Sequence, residues 1–215
     1  MKNFKQILIA LMMLTIPVLV NASDKTFIKQ MEKEISGMEK ISGMDSWLNQ
    51  AGVFEKISKE NSGEWLIFYY ESYAYLKAGM EAKENIQADR YYDQSLLILE
   101  KAVTLSPANS EISTLKSWII SMKISIDPMA RGYELGMQAN QLLSAAIIQD
   151  ATNPRPYLLQ GLAAMYTPEE YGGSKKVAAD LLNQSIQKFA EFKSASSIMP
   201  SWGLDKAKQT LKEVQ

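Results

Sequence analysis

One spacing recurs three times along this chain and constrains its fold more than any other feature. Ser95, Leu99 and Ala102 stand four and then three residues apart; Ala139, Leu143 and Ala146 repeat the interval, and Ala178, Leu182 and Ser185 repeat it again. Offsets of four and three put each triplet on one face of an α-helix, reading small, large apolar, small. A small residue lets a facing helix approach and a leucine one turn later fills the space between them, the arrangement of a helical hairpin stacked on its neighbours. Pro107 and Ala151 lie five residues beyond the first two triplets, and a proline there stops its helix. In a preceding helix, Tyr157-x-x-Gln160-Gly161 supplies an aromatic near the start and a glycine one turn on, where two backbones cross.

The rest of the chain reads the same way. Apolar residues at three-and-four spacing run through long segments, and sustained alternation of the kind a half-buried strand shows occurs nowhere. The sequence predicts an all-α protein with helices near 24–40, 46–59, 63–80, 88–105, 110–126, 129–150, 155–166, 174–192 and 203–214. Asp127 before Pro128 reads as an N-cap with proline at the first helical position. Thr167-Pro168-Glu169-Glu170 predicts the same start with Glu170 in the capping-box place, after which Gly172-Gly173 ends the turn and Ser174 caps the next helix. Gly132, Gly136 and Asn140, four apart beside Ala139, predict a tight crossing with a neighbour. Leu204, Ala207, Leu211 and Val214 form an apolar stripe on a terminal helix that covers the last unit; its narrow stripe and mixed charges argue against membrane-surface binding.

With the aromatic, the glycine and the small–leucine–small triplets in place, the chain resembles the tetratricopeptide repeat. The resemblance implies a right-handed superhelix of antiparallel helix hairpins with about nine helices: N-terminal helices over 23–60, three degenerate repeats over 63–192 and a capping helix over 203–214, all one domain from residue 23 to 215. First helices fall at 63–80, 110–126 and 155–166. Leu99, Leu143 and Leu182 replace the usual large aromatic and Ala151 replaces the terminal proline, so another helical-hairpin solenoid is the structural alternative. More of the chain is covered by a looser likeness: "FEKISKENSGEWLIFYYESYAYL", "NPRPYLLQGLAAMYTPEEYGGSKKVAADLL" and "PSWG" resemble a group of exported tetratricopeptide-like proteins found in Bacteroidota. The glycine pair after an aromatic helix is also similar to the periplasmic tetratricopeptide component of some solute transporters.

The first 22 residues differ in kind. Lys2 and Lys5 precede an apolar run from Ile7 to Val20, and Val20-Asn21-Ala22 matches a signal-peptidase site, which predicts a signal peptide over 1–22 cleaved after Ala22. The run is shorter than the roughly 20 residues that span a bilayer, so stable membrane insertion after cleavage is not expected. No cysteine follows it, which excludes a lipoprotein anchor and leaves a periplasmic protein stabilised by packing without disulfides.

Composition narrows the chemistry further. The formal charge of −1 over 215 residues, without basic clusters, gives no footprint for nucleic acid. The chain has no histidine and no cysteine, removing the commonest general base, the commonest zinc ligands and the thiolate nucleophile. Its acids stand singly or in mixed-charge helical runs such as Lys29 to Glu34, and neither catalysis, a cofactor nor a metal is expected. "YGGSKK", Tyr171 to Lys176, lacks the spacing of a nucleotide-binding loop and reads as a turn between helices.

What remains is binding. The first helices of such repeats line a concave surface that takes peptides or helices of other proteins. Carried onto this chain, the family's groove positions are Tyr70, Tyr73, Trp118, Met122, Arg155, Met165 and Tyr166, with Arg155 able to pair with a carboxylate. The stretch Glu64 to Gly79 holds six aromatic residues and is apolar almost all round, as a sandwiched helix is. Trp65, Phe68 and Tyr69 are expected in core, which leaves Tyr70 and Tyr73 as the groove candidates of that helix. The sequence therefore predicts an exported adaptor for an unidentified protein or peptide, the alternative being a periplasmic small-solute binder that serves a transporter. An open groove near Tyr70 and Trp118 favours the first; a cavity lined by rings and one convergent charge favours the second.

Overall fold

In the computed structural model, which describes residues 22–215, the chain is all-α. The helices are α1 (Ala22–Gly37), α2 (Met44–Glu60), α3 (Trp65–Glu81), α4 (Asn85–Leu105), α5 (Ser110–Ile124), α6 (Pro128–Gln149), α7 (Arg155–Tyr166), α8 (Lys175–Glu191) and α9 (Leu204–Val214), with 3₁₀ turns at Met38–Lys40 and Glu169–Tyr171. No strand occurs among the described residues. The signal peptide read over 1–22 lies, but for Ala22, outside them.

Consecutive helices pack as hairpins, α3 on α4, α5 on α6 and α7 on α8, and α3 touches α5 as α5 touches α7, so the first helices form one layer. The recurring triplets explain the pairing. All nine residues are buried: Ser95, Leu99 and Ala102 on α4, Ala139, Leu143 and Ala146 on α6, and Ala178, Leu182 and Ser185 on α8. Each triplet's first member faces a small residue of the first helix. Ser72 Oγ donates to Ser95 O at 2.8 Å while Ser95 Oγ donates to Ser72 O at 2.7 Å. In the second hairpin Ser117 Oγ donates to Ala139 O at 2.9 Å. In the third, Gly161 lies so close to α8 that a Cβ there would stand 2.9 Å from Leu182 Cγ and 3.4 Å from Ala178 O. Serine hydroxyls thus satisfy carbonyls at two crossings and glycine removes the side chain at the third.

The caps mostly follow the sequence signals. Asp127 accepts from Ala130 N and Ser174 from Val177 N. Thr167 instead ends α7, and Pro168 begins the 3₁₀ turn without a side-chain cap, so the capping box at Glu170 does not form. The Thr167 N–H that Glu170 would accept is already spent on Ala163 O at 3.0 Å, closing α7. Gly172 closes it in the left-handed region with φ of 94°. Gly132 and Gly136 differ from expectation: a Cβ at either would meet nothing within 4 Å, so no helix among the described residues crosses there.

One core runs from Phe27 and Met31 of α1 through α2, α3, α4 and α5 and includes Ile198. A second joins Leu158, Leu182 and Ala207, with Leu211 and Val214 of α9 against it. Between α8 and α9, residues 192–203 run back across the first helices as a strap.

Candidate ligand-binding cleft

Side chains of the first helices hold the strap by its backbone. Tyr70 Oη donates to Ile198 O at 2.9 Å. Arg155 Nε donates to Trp202 O at 3.0 Å, and Arg155 Nη2 donates to Pro200 O. Trp202 Nε1 donates to Tyr69 Oη at 2.9 Å, and its ring lies 4.8 Å from Trp118 and 6.3 Å from Tyr73, centroid to centroid. The guanidinium of Arg155 stands 5.4, 5.5 and 5.6 Å from the rings of Trp202, Phe192 and Phe189, a cation enclosed by aromatic faces. Its charge is met by Glu111, with Nη1 to Oε1 at 2.7 Å.

Beside the strap a cleft of about 940 Å³ opens between α1 with its 3₁₀ turn, α3 and the start of α9. Its volume falls within the range of small-molecule sites. Trp47, Tyr70, Tyr73 and Trp202 supply rings, Ile35, Met38 and Ile41 add aliphatic and thioether surface, and Lys77 brings one cation. Trp47 and Tyr73 meet edge to face with centroids 6.1 Å apart, and Lys77 Nζ stands 5.7 Å above the Trp47 ring. Tyr73 and Lys77 lie four apart on α3 and so share a face. Glu32, Glu39, Glu81 and Asp205 line the same cleft and are exposed.

Burial sets the protonation of these groups. The Tyr73 phenol is pushed up to about 12 by desolvation, against the pull of Arg155, so it keeps its proton at neutral pH. Burial raises Tyr69 and Tyr70 as well. Desolvation lowers Lys77, which Glu81 partly offsets.

The seven residues expected to line a groove fall in different places. Tyr70 and Tyr73 line the cleft. Trp118 packs against Trp202 at a tilt of 42°, and Met122 packs against the main core. Arg155 is buried, with its carboxylate partner inside the protein. Met165 is half-buried near the end of α7 and Tyr166 is exposed, and neither lines the cleft. Trp47 and Met38 escaped the sequence reading because they lie outside the repeats, and Lys77 because a lysine on a first helix reads as solvated; Trp202 entered only within "PSWG". Among the described residues no cluster of three or more carboxylate, histidine or cysteine side chains is placed to hold a metal ion, and no helix is long and apolar enough to cross a membrane.

No protein-family model matches this chain, and no curated protein matches it. Among solved structures, it is similar to the HusA haemophore from Porphyromonas gingivalis, with a TM-score of 0.79 and 25% sequence identity over 88% of this chain and 92% of that one. The likeness spans the all-helical fold, and the neighbour is a binding protein of a Bacteroidota species.

Proposed function

We propose that this chain is an exported, non-catalytic binding protein that carries a planar, largely apolar small ligand of the haem class in the cleft between α1, α3 and the strap. The observation that carries the reading is the cleft itself, lined by the rings of Trp47, Tyr70, Tyr73 and Trp202 and by a single cation, Lys77. Such a wall suits an aromatic plane with an acidic edge. The likeness to a haemophore supports the same ligand class. Iron would find few donors here. With no histidine or cysteine in the chain, the cleft offers the Tyr73 hydroxyl, the Met38 thioether and the exposed carboxylates at its rim. A phenol held near 12 yields its proton reluctantly. Ring contact, rather than coordination, therefore supplies most of the affinity.

Titrating haem while following tryptophan fluorescence tests the proposal. Saturable quenching at one ligand per chain supports it, and Ser36→Trp, which sets a large ring in the cleft from an exposed position, should abolish the signal. Linear, non-saturating quenching contradicts it.

We read the hairpins as degenerate tetratricopeptide-like units of one domain and the first 22 residues as a cleaved signal peptide, which N-terminal sequencing of the secreted or periplasmic protein should find missing. A protein or peptide partner is the second reading. It is favoured by exposed apolar side chains, Met129, Tyr133 and Met137 on α6 and Tyr166 on α7. The face around Tyr70, Trp118 and Arg155 is covered by the strap, so that partner would dock elsewhere.

A further inference from the structure

Three hydrogen-bond donors line this cleft without acceptors. Trp47 is 4% exposed, and its indole Nε1 is buried with no hydrogen-bond partner. Tyr73 Oη makes no hydrogen bond among the described residues, and Lys77 Nζ makes neither a hydrogen bond nor a salt bridge. Of the three only Trp47 Nε1 is buried, and leaving a buried donor unmet costs about 1–3 kcal/mol; Tyr73 and Lys77 are half-buried. Here the three come from α2 and from one face of α3, within a patch fixed by the 6.1 Å Trp47–Tyr73 contact and the 5.7 Å Lys77–Trp47 contact. No acceptor among the described residues serves them, although Glu32, Glu39, Glu81 and Asp205 stand at the same opening.

We infer that Trp47 Nε1, Tyr73 Oη and Lys77 Nζ form a subsite that takes a carboxylate borne on the edge of the planar ligand. The inference rests on the cleft being the ligand seat. A carboxylate matches the donors in number and charge: its two oxygens offer about four lone-pair sites to two neutral donors and one ammonium. A phosphate dianion does not match. It would leave one of its charges unpaired beside four carboxylates, with one cation to meet it.

Protoporphyrin IX and its dimethyl ester, which have the same ring but differ in peripheral charge, separate this subsite from ring binding. Lys77→Met should weaken the diacid about tenfold more than it weakens the ester, the size of one charge-assisted hydrogen bond. Lys77→Arg should restore most of the difference, and Tyr73→Phe should show the same preference at about threefold. Equal effects on both probes, or none on either, overturn the subsite while leaving the cleft as the seat. Failure of the unaltered protein to bind either porphyrin overturns the carrier reading and this inference together.

Discussion

Arg155 Nη1 lies 2.7 Å from Glu111 Oε1, and the two residues open successive first helices, α7 and α5. Both are buried, and the same guanidinium holds the strap through the carbonyls of Pro200 and Trp202. One side chain thus joins two hairpins to the wall of the cleft. Breaking a buried pair from one side leaves an uncompensated charge, so Arg155→Met should cost about 3–5 kcal/mol in urea unfolding. Trp202 emission should shift toward that of a solvated indole. Glu111→Gln keeps an acceptor and should cost less. The double variant should fall short of the sum of the single losses, and strict additivity would show that the pair is not coupled.

Glu71 gives stability a pH dependence. It is 3% exposed, its Oε2 has no partner, and burial raises its carboxyl to about 7 against the pull of Lys101. The folded protein therefore keeps a proton that the unfolded chain releases at the ordinary carboxylate value. The resulting stability is full below that value and lost as pH rises through about 7. Between pH 5 and 8 the unfolding free energy should fall by about 1–2 kcal/mol, allowing for solvent screening. Glu71→Gln should remove that slope and stabilise the protein at pH 8. The same slope in the variant would assign the effect to other groups.

Two glycines should respond oppositely to the same substitution. At Gly161 an added Cβ stands 2.9 Å from Leu182 Cγ, whose side chain is fully enclosed, and Gly161→Ala should cost about 1–3 kcal/mol. At Gly132 nothing lies within 4 Å, and Gly132→Ala should stabilise α6 by about 0.5–1 kcal/mol. Thermal melts of the two variants check both signs. A loss at Gly132 would reveal a partner on that face of α6.

These contrasts show where the sequence was legible. The all-α class, the order of the helices and the α7 bounds at 155–166 follow from local periodicity and stop signals, and the triplets mark buried crossings because small residues are needed wherever helices meet. The Gly132–Gly136 expectation failed for the same reason: a small-residue stripe shows that approach is possible, not that a helix is there. Spacing held no trace of the strap. Its anchors join Tyr70 to Ile198 and Arg155 to Trp202 across long separations, from a segment without periodicity. Tyr70 and Tyr73 stood out as rings with polar ends, whereas Trp47 joins them through the packing of α2 on α3, which no single-helix pattern encodes, and Lys77, one turn beyond Tyr73 on α3, read as an ordinary charged position.

The central claim, that a planar ligand sits in the cleft, is tested most directly by crystallising the protein with haem and locating iron from its anomalous scattering. The account predicts one iron peak in the space bounded by Trp47, Tyr73 and Trp202, with a propionate within hydrogen-bond distance of Lys77 Nζ. A peak against the exposed face of α6, or no ordered peak in crystals grown with excess haem, would contradict it.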